Sequence, residues 1–120
     1  MAAACVVVDL SPVCINLKLT RRDSFPISFT LTQIGAPVDV TGSSFLFTVN
    51  TAEDGSGTEL FQKTNTNTPD TTGVATFEPT TTDLNQTPSE YFYDVQWTDA
   101  AASVRTVVLG TLEIVADITT

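Results

Sequence analysis

Ser89-Glu90-Tyr91-Phe92-Tyr93-Asp94-Val95-Gln96-Trp97-Thr98 is the stretch that decides the fold class. Tyr91, Tyr93, Val95 and Trp97 fall on every second residue, and in an extended strand such residues share one face. A helix would scatter the same four side chains around its axis. Asp99 to Ser103 then reads as a turn, and Val104 to Ile118 as a long second strand. On that strand Val104, Thr106, Val108, Gly110, Leu112 and Ile114 alternate with Arg105, Val107, Leu109, Thr111, Glu113 and Val115. Apolar residues occur in both sets, so Val107 and Leu109 are expected to meet a second surface.

Toward the N-terminus the same period recurs. Val13, Ile15, Leu17 and Leu19 define one face of a first strand, and Phe25, Ile27, Phe29 and Leu31 one face of a second. Pro26 cannot donate to a ladder, which places that strand end at an edge or a bulge. Further strands are expected at Ser44–Thr51, Thr58–Thr64 and Gly73–Glu78, with Leu46 partly covered on the face opposite Phe45 and Phe47. Glu53-Asp54-Gly55-Ser56-Gly57 joins a hairpin, and the polar Asn65–Thr72 reads as an exposed loop tip. Thr82-Asp83-Leu84-Asn85 is expected to form one helical turn that drops Leu84 into the core. About seven strands with turn signals every ~8–12 residues describe an all-β, antiparallel sandwich. Residues 13–120 are read as one domain. Residues 1–12, small and apolar, are read as an N-terminal arm, either a disordered terminus or a segment that orders on a neighbour.

Composition narrows the function. The chain of 120 residues carries 14 acidic against 5 basic residues, a net charge of −9. Such a surface repels nucleic acid, whose binding needs clustered cations. Histidine is absent, which removes Ser-His and Cys-His catalysis and the zincin motif. The 22 threonines suit pleated strands, because a β-branched side chain is stiff at χ1. No run approaches the roughly 18 apolar residues of a membrane helix, and the apolar opening lacks the basic start of a secretory signal. Cys5 and Cys14 either pair or remain free thiols. The expectation is a non-enzymatic contact domain that needs no cofactor, binds no metal, and has neither a nucleic-acid nor a membrane partner.

Four constellations are weighed for a role beyond structure. Tyr91, Tyr93 and Trp97 form either a packed core face or a carbohydrate-stacking platform. Asp94 and Arg105 are expected to pair across the final hairpin as a structural contact. Glu53, Asp54 and Asp70 lie in polar loops, and their spacing matches no EF-hand. Lys18, Arg21 and Arg22 hold three of the five cations in one short stretch. With the apolar residues Val6, Val7, Val8 and Leu10 they form the expected partner-docking set, with strand addition at an open sheet edge as the mechanism.

Particular motifs carry a resemblance over most of residues 18–118. Arg22-Asp23-Ser24, Gly35-Ala36-Pro37-Val38-Asp39-Val40-Thr41-Gly42, Tyr91-Phe92-Tyr93-Asp94-Val95-Gln96, Arg105-Thr106 and Gly110-Thr111-Leu112 resemble the immunoglobulin-like N-terminal domain of the phage baseplate upper protein family. They also resemble small stand-alone phage virion proteins of the same pattern. Two positions depart from it: Arg22 and Glu90 stand where the pattern has glycine. The resemblance implies an immunoglobulin-like sandwich and a structural role in a tailed-phage virion, assembled in the bacterial host cytoplasm. Its implied partners are other virion proteins: tail or baseplate components, or the major capsid protein if the chain is a decoration or cement protein. Against a full baseplate component with its long continuation, the expectation from the 120 residues given is a small self-contained subunit. A glycan-binding host-attachment module is the alternative function.

Overall fold

A computed structural model describes residues 13–24, 26–33 and 35–118. The expected arm, with Val6, Val7, Val8 and Leu10, lies outside them, as does Cys5 and with it the question of a disulfide. Ten strands form, and no helix occurs among the described residues. They are β1 (Val13–Cys14), β2 (Leu17–Thr20), β3 (Ile27–Thr30), β4 (Thr32–Gln33), β5 (Ala36–Pro37), β6 (Ser44–Asn50), β7 (Glu59–Thr64), β8 (Val74–Phe77), β9 (Ser89–Thr98) and β10 (Val104–Val115). The count exceeds seven because expected strands are interrupted. The first breaks at Ile15–Asn16 into β1 and β2, and the second breaks at Leu31.

The main sheet runs β1/β2-β10-β9-β6-β7, and β3 pairs with β8 opposite it. β6, β9 and β10 are the C, F and G positions of an immunoglobulin-like sandwich, and β3 and β8 are B and E. One part of the expectation changes. The fold is antiparallel except at its N-terminal edge, where β1 and β2 run parallel to β10, Val13 opposite Val108 and Leu17 opposite Leu112. Strands separated by the whole domain can pair in either sense, and alternation carries no information about which.

Alternation does fix which side chains go inside. Tyr91, Tyr93, Val95 and Trp97 are all buried, as are Phe45, Phe47 and Val49 on β6 and Ile27 and Phe29 on β3. Phe47 lies at the centre, its ring stacked 5.1 Å from Tyr93 and tilted 5.4 Å from Phe77, which ties the two sheets together. Each such side chain contributes about 1.5–3 kcal/mol of burial. Leu84 is fully buried, as expected. Its turn is held by a reciprocal cap: Thr80 N–H donates to Asp83 Oδ2, and Asp83 N–H donates to Thr80 Oγ1. Tyr91 Oη donates to the Thr87 carbonyl, the tyrosine-corner contact that fixes the entry into strand F.

Val107 is buried for a reason other than a second surface. The β9–β10 register shifts between Thr106 and Val108, so a bulge inserts Val107 into the core cluster. The Asn65–Thr72 stretch is also more than a loop tip. Asn65 Oδ1 accepts from Phe45 N–H at 3.0 Å in the main sheet. Asn67 takes Thr76 N–H at 2.9 Å and donates to the Val74 carbonyl at 2.8 Å in the other. Two half-buried amides thus stand in for strand ladder at a sandwich edge.

Candidate docking site

The structure brings Lys18, Arg21 and Arg22 together at the edge formed by β2 and its turn. Lys18 faces outward opposite Glu113. Arg21 N–H donates to the Val115 carbonyl and Arg22 N–H to the Leu84 carbonyl, so the backbone of the corner is fixed on both sides. The Nε atoms of Arg21 and Arg22 both donate to Asn85 Oδ1 at 3.2 Å. Arg22 Nη1 also lies 4.0 Å from Asp117 Oδ2. This orients two guanidinium groups beside a shallow groove of about 540 Å³, next to the fully exposed Ile118. Arg22 has φ +66°. It therefore occupies a left-handed position that costs a residue with a Cβ about 1–2 kcal/mol, where the resembling pattern has glycine. Glu90, the other departure, lies inside β9 and has no such strain.

The first described residues, from which residues 1–12 would lead, lie along the same edge. Asn16 Oδ1 accepts from Thr111 N–H, and the buried Tyr93 reaches out of the core to donate its Oη to the Ile15 carbonyl at 2.7 Å. Gly110 permits this approach, because a Cβ there would collide with the Ile15 carbonyl. Burial pushes the Tyr93 phenol well above its usual range, so it stays a donor at any ordinary pH.

One expected constellation is corrected, and the aromatic stripe bears out its core reading. Asp94 and Arg105 do not pair: Asp94 stands opposite Leu109 and Arg105 opposite Trp97. The two side chains are on opposite faces of the sheet, and Arg105 instead lies over the Trp97 ring, 5.2 Å from its centroid. The aromatic stripe is core, not a platform. Tyr91, Tyr93 and Trp97 are buried, with their polar tips held by Thr87, Ile15 and, for the indole N–H, Ser43 Oγ. A glycan-stacking site built from those rings loses its residues.

The loop carboxylates close turns. Asp39, Asp54 and Asp70 each accept from the hydroxyl and the backbone N–H of the residue two positions on: Thr41, Ser56 and Thr72. These bonds lower all three carboxyls below their ordinary range, the hydroxyl contributing most. Asp83 is first raised by burial. That effect is outweighed by bonds from Thr80 and Lys63, whose Nζ lies 2.9 Å away, so it too falls below the ordinary value.

A second concavity was not singled out from the sequence. It occupies the outer face of the main sheet, about 610 Å³, over Thr48, Phe92, Asp94 and Leu109. The β6–β7 loop bounds it. Its signal was present in the strand parity, since Phe92, Asp94 and Leu109 are the non-core positions of β9 and β10.

No protein-family model matches the chain, and no curated protein matches it. Among solved structures, a putative glycoside hydrolase from Bacteroides vulgatus ATCC 8482 aligns with 86% of this chain and 17% of its own, at 16% identity and a TM-score of 0.47. The N-terminal domain of ORF48 of phage TP901-1 aligns with 84% of this chain and 83% of its own, at 13% identity and a TM-score of 0.54. In its fold, this chain is similar to that phage domain.

Proposed function

We propose that this chain is a non-enzymatic structural subunit of a tailed-phage virion, docking in many copies through its N-terminal arm and the adjoining sheet edge. The observation that carries the reading is the shared location of arm root and basic corner. β1 begins at Val13 on the β10 edge, and Lys18, Arg21 and Arg22 follow within the next strand and turn. An apolar arm leaving this edge can add as a strand to a neighbouring sheet, where main-chain hydrogen bonds supply affinity. The oriented guanidinium groups then meet an acidic surface, and repetition supplies avidity. The fold likeness to a phage domain and the motif resemblance both favour a virion setting. The motif resemblance favours the tail, with the capsid surface as the competing location.

The test is removal of residues 1–12. The truncated chain is expected to fold, with an unchanged circular dichroism spectrum, and to be missing from particles assembled in cells that supply it. Incorporation of the truncated chain at the full-length copy number would overturn the arm's role. A cryo-EM map of the particle locates the subunit: density on the tail axis supports the tail, and density on the icosahedral lattice places it on the capsid.

A further inference from the structure

The outer face of the main sheet is not a uniform threonine surface. Leu46, Phe92 and Leu109 are half-buried on it, and Asp94 stands among them, opposite Thr48 on β6 and Leu109 on β10. The Asp94 carboxylate has no hydrogen bond or ion pair with any described residue. The β6–β7 loop folds toward the same face. Asn50 accepts from Ala52 N–H and donates to the Gly55 carbonyl, which sets Glu53 and Asp54 on the rim beside Glu59. None of the chain's five cations lines this concavity. Lys63 is held by Asp83, Arg21 and Arg22 by Asn85, and Arg105 by the Trp97 face.

We propose that this concavity docks an arginine- or lysine-bearing segment of a partner protein, the cation over Asp94 and apolar flanking residues on Phe92 and Leu109. Charge complementarity selects the occupant. A neutral apolar partner would cover Asp94 and leave a desolvated carboxylate without a counter-charge, which is strongly unfavourable. An acidic partner meets four carboxylates and a chain of net charge −9. A long basic side chain satisfies both halves of the site, since its methylene stem covers apolar surface while its head pairs. The volume of about 610 Å³ falls in the ~300–1,000 Å³ range of built binding sites. Burial pushes the Asp94 carboxyl above its ordinary range, because its charged form is partly desolvated, a cost that a nearby cation would offset. The surface shares no lining residue with the basic corner, and its test reads peptide binding, not incorporation into particles, so a failure here leaves the arm's role untouched.

The probe is an array of pentapeptides with leucine at positions two and four. The central residue is arginine, lysine, citrulline, leucine or glutamate. The full chain is expected to bind the arginine and lysine members about tenfold or more above the citrulline member, the fold-change of a lost charge-assisted hydrogen bond. Amide shifts on titrating the arginine peptide are expected at Thr48–Gly55, Phe92–Asp94 and Leu109–Gly110. Asp94→Asn should abolish the preference, and Asp39→Asn, with the same change in net charge, should keep it. Equal binding of arginine and citrulline peptides, or an undiminished preference in Asp94→Asn, overturns the proposal. So does self-association of the chain that Asp94→Asn removes, because the occupant is then a second copy.

Discussion

Tyr93→Phe isolates the bond that anchors the N-terminal edge at Ile15, from which the proposed arm leads. The substitution removes one oxygen and keeps the ring, so the stacking on Phe47 at 5.1 Å and on Phe29 at 6.4 Å is preserved. What disappears is the 2.7 Å hydrogen bond to the Ile15 carbonyl. A net hydrogen bond is worth about 0.5–1.5 kcal/mol, and a carbonyl left without its partner adds to the cost. Ile15 is half-buried, so water partly replaces the phenol, and the expected loss is about 1–2 kcal/mol. For a domain of this size that corresponds to a fall in Tm of about 3–10 °C. In urea the midpoint should drop by about 0.5–1 M with m unchanged. Amide exchange distinguishes a local from a global effect. The amides of Ile15 and Arg21, which donate to the Leu109 and Val115 carbonyls, should lose protection before those of β6 and β9. Tyr91→Phe is the control. It also loses a hydroxyl bond, but to Thr87, and should leave the edge protection as it was relative to global stability. A stability loss below about 0.5 kcal/mol, or equal loss of protection across both sheets, would refute the anchoring role.

Three further outcomes follow from particular contacts. Asn67→Ala removes the bonds to Val74 and Thr76 and should cost about 2–4 kcal/mol by denaturant unfolding; a cost under 1 kcal/mol would show that Asn67 is a loop residue after all. Because Arg22 has φ +66°, Arg22→Gly should be more stable than Arg22→Ala by about 1 kcal/mol, and the reverse order in thermal melts contradicts the left-handed turn. Burial raises the Asp94 carboxyl above 3.8 in the folded chain, so the native state holds its proton more tightly than the unfolded state. Asp94 therefore costs stability as pH rises through the window above 3.8, and unfolding at pH 3 to 7 should show Asp94→Asn gaining on the parent chain as pH rises. A constant difference across that range rules the effect out.

The strands, the buried face of each and the buried Leu84 were legible in the sequence, because period-two alternation is a local property that burial alone selects. Clustering of Lys18, Arg21 and Arg22 was legible too, since residues adjacent in sequence cannot be far apart in space. The Asp-x-Thr and Asp-x-Ser turns are equally local, being closed by the next residues of the same chain. What the tertiary structure decided was every relation between distant residues. The bulge at Val107 changes the register of β9 and β10, and alternation does not encode a one-residue insertion. Asp94 and Arg105 lie on opposite faces simply because their positions in that register differ in parity. The parallel pairing of β1 and β2 with β10, and the bridging of the sheets by Asn65 and Asn67, depend on which partner a strand meets after the chain closes. So does the acid-rimmed concavity, whose floor comes from β6, β9 and β10 and whose rim comes from a loop. Side-chain parity belongs to the strand, whereas partner and register belong to the packed sandwich.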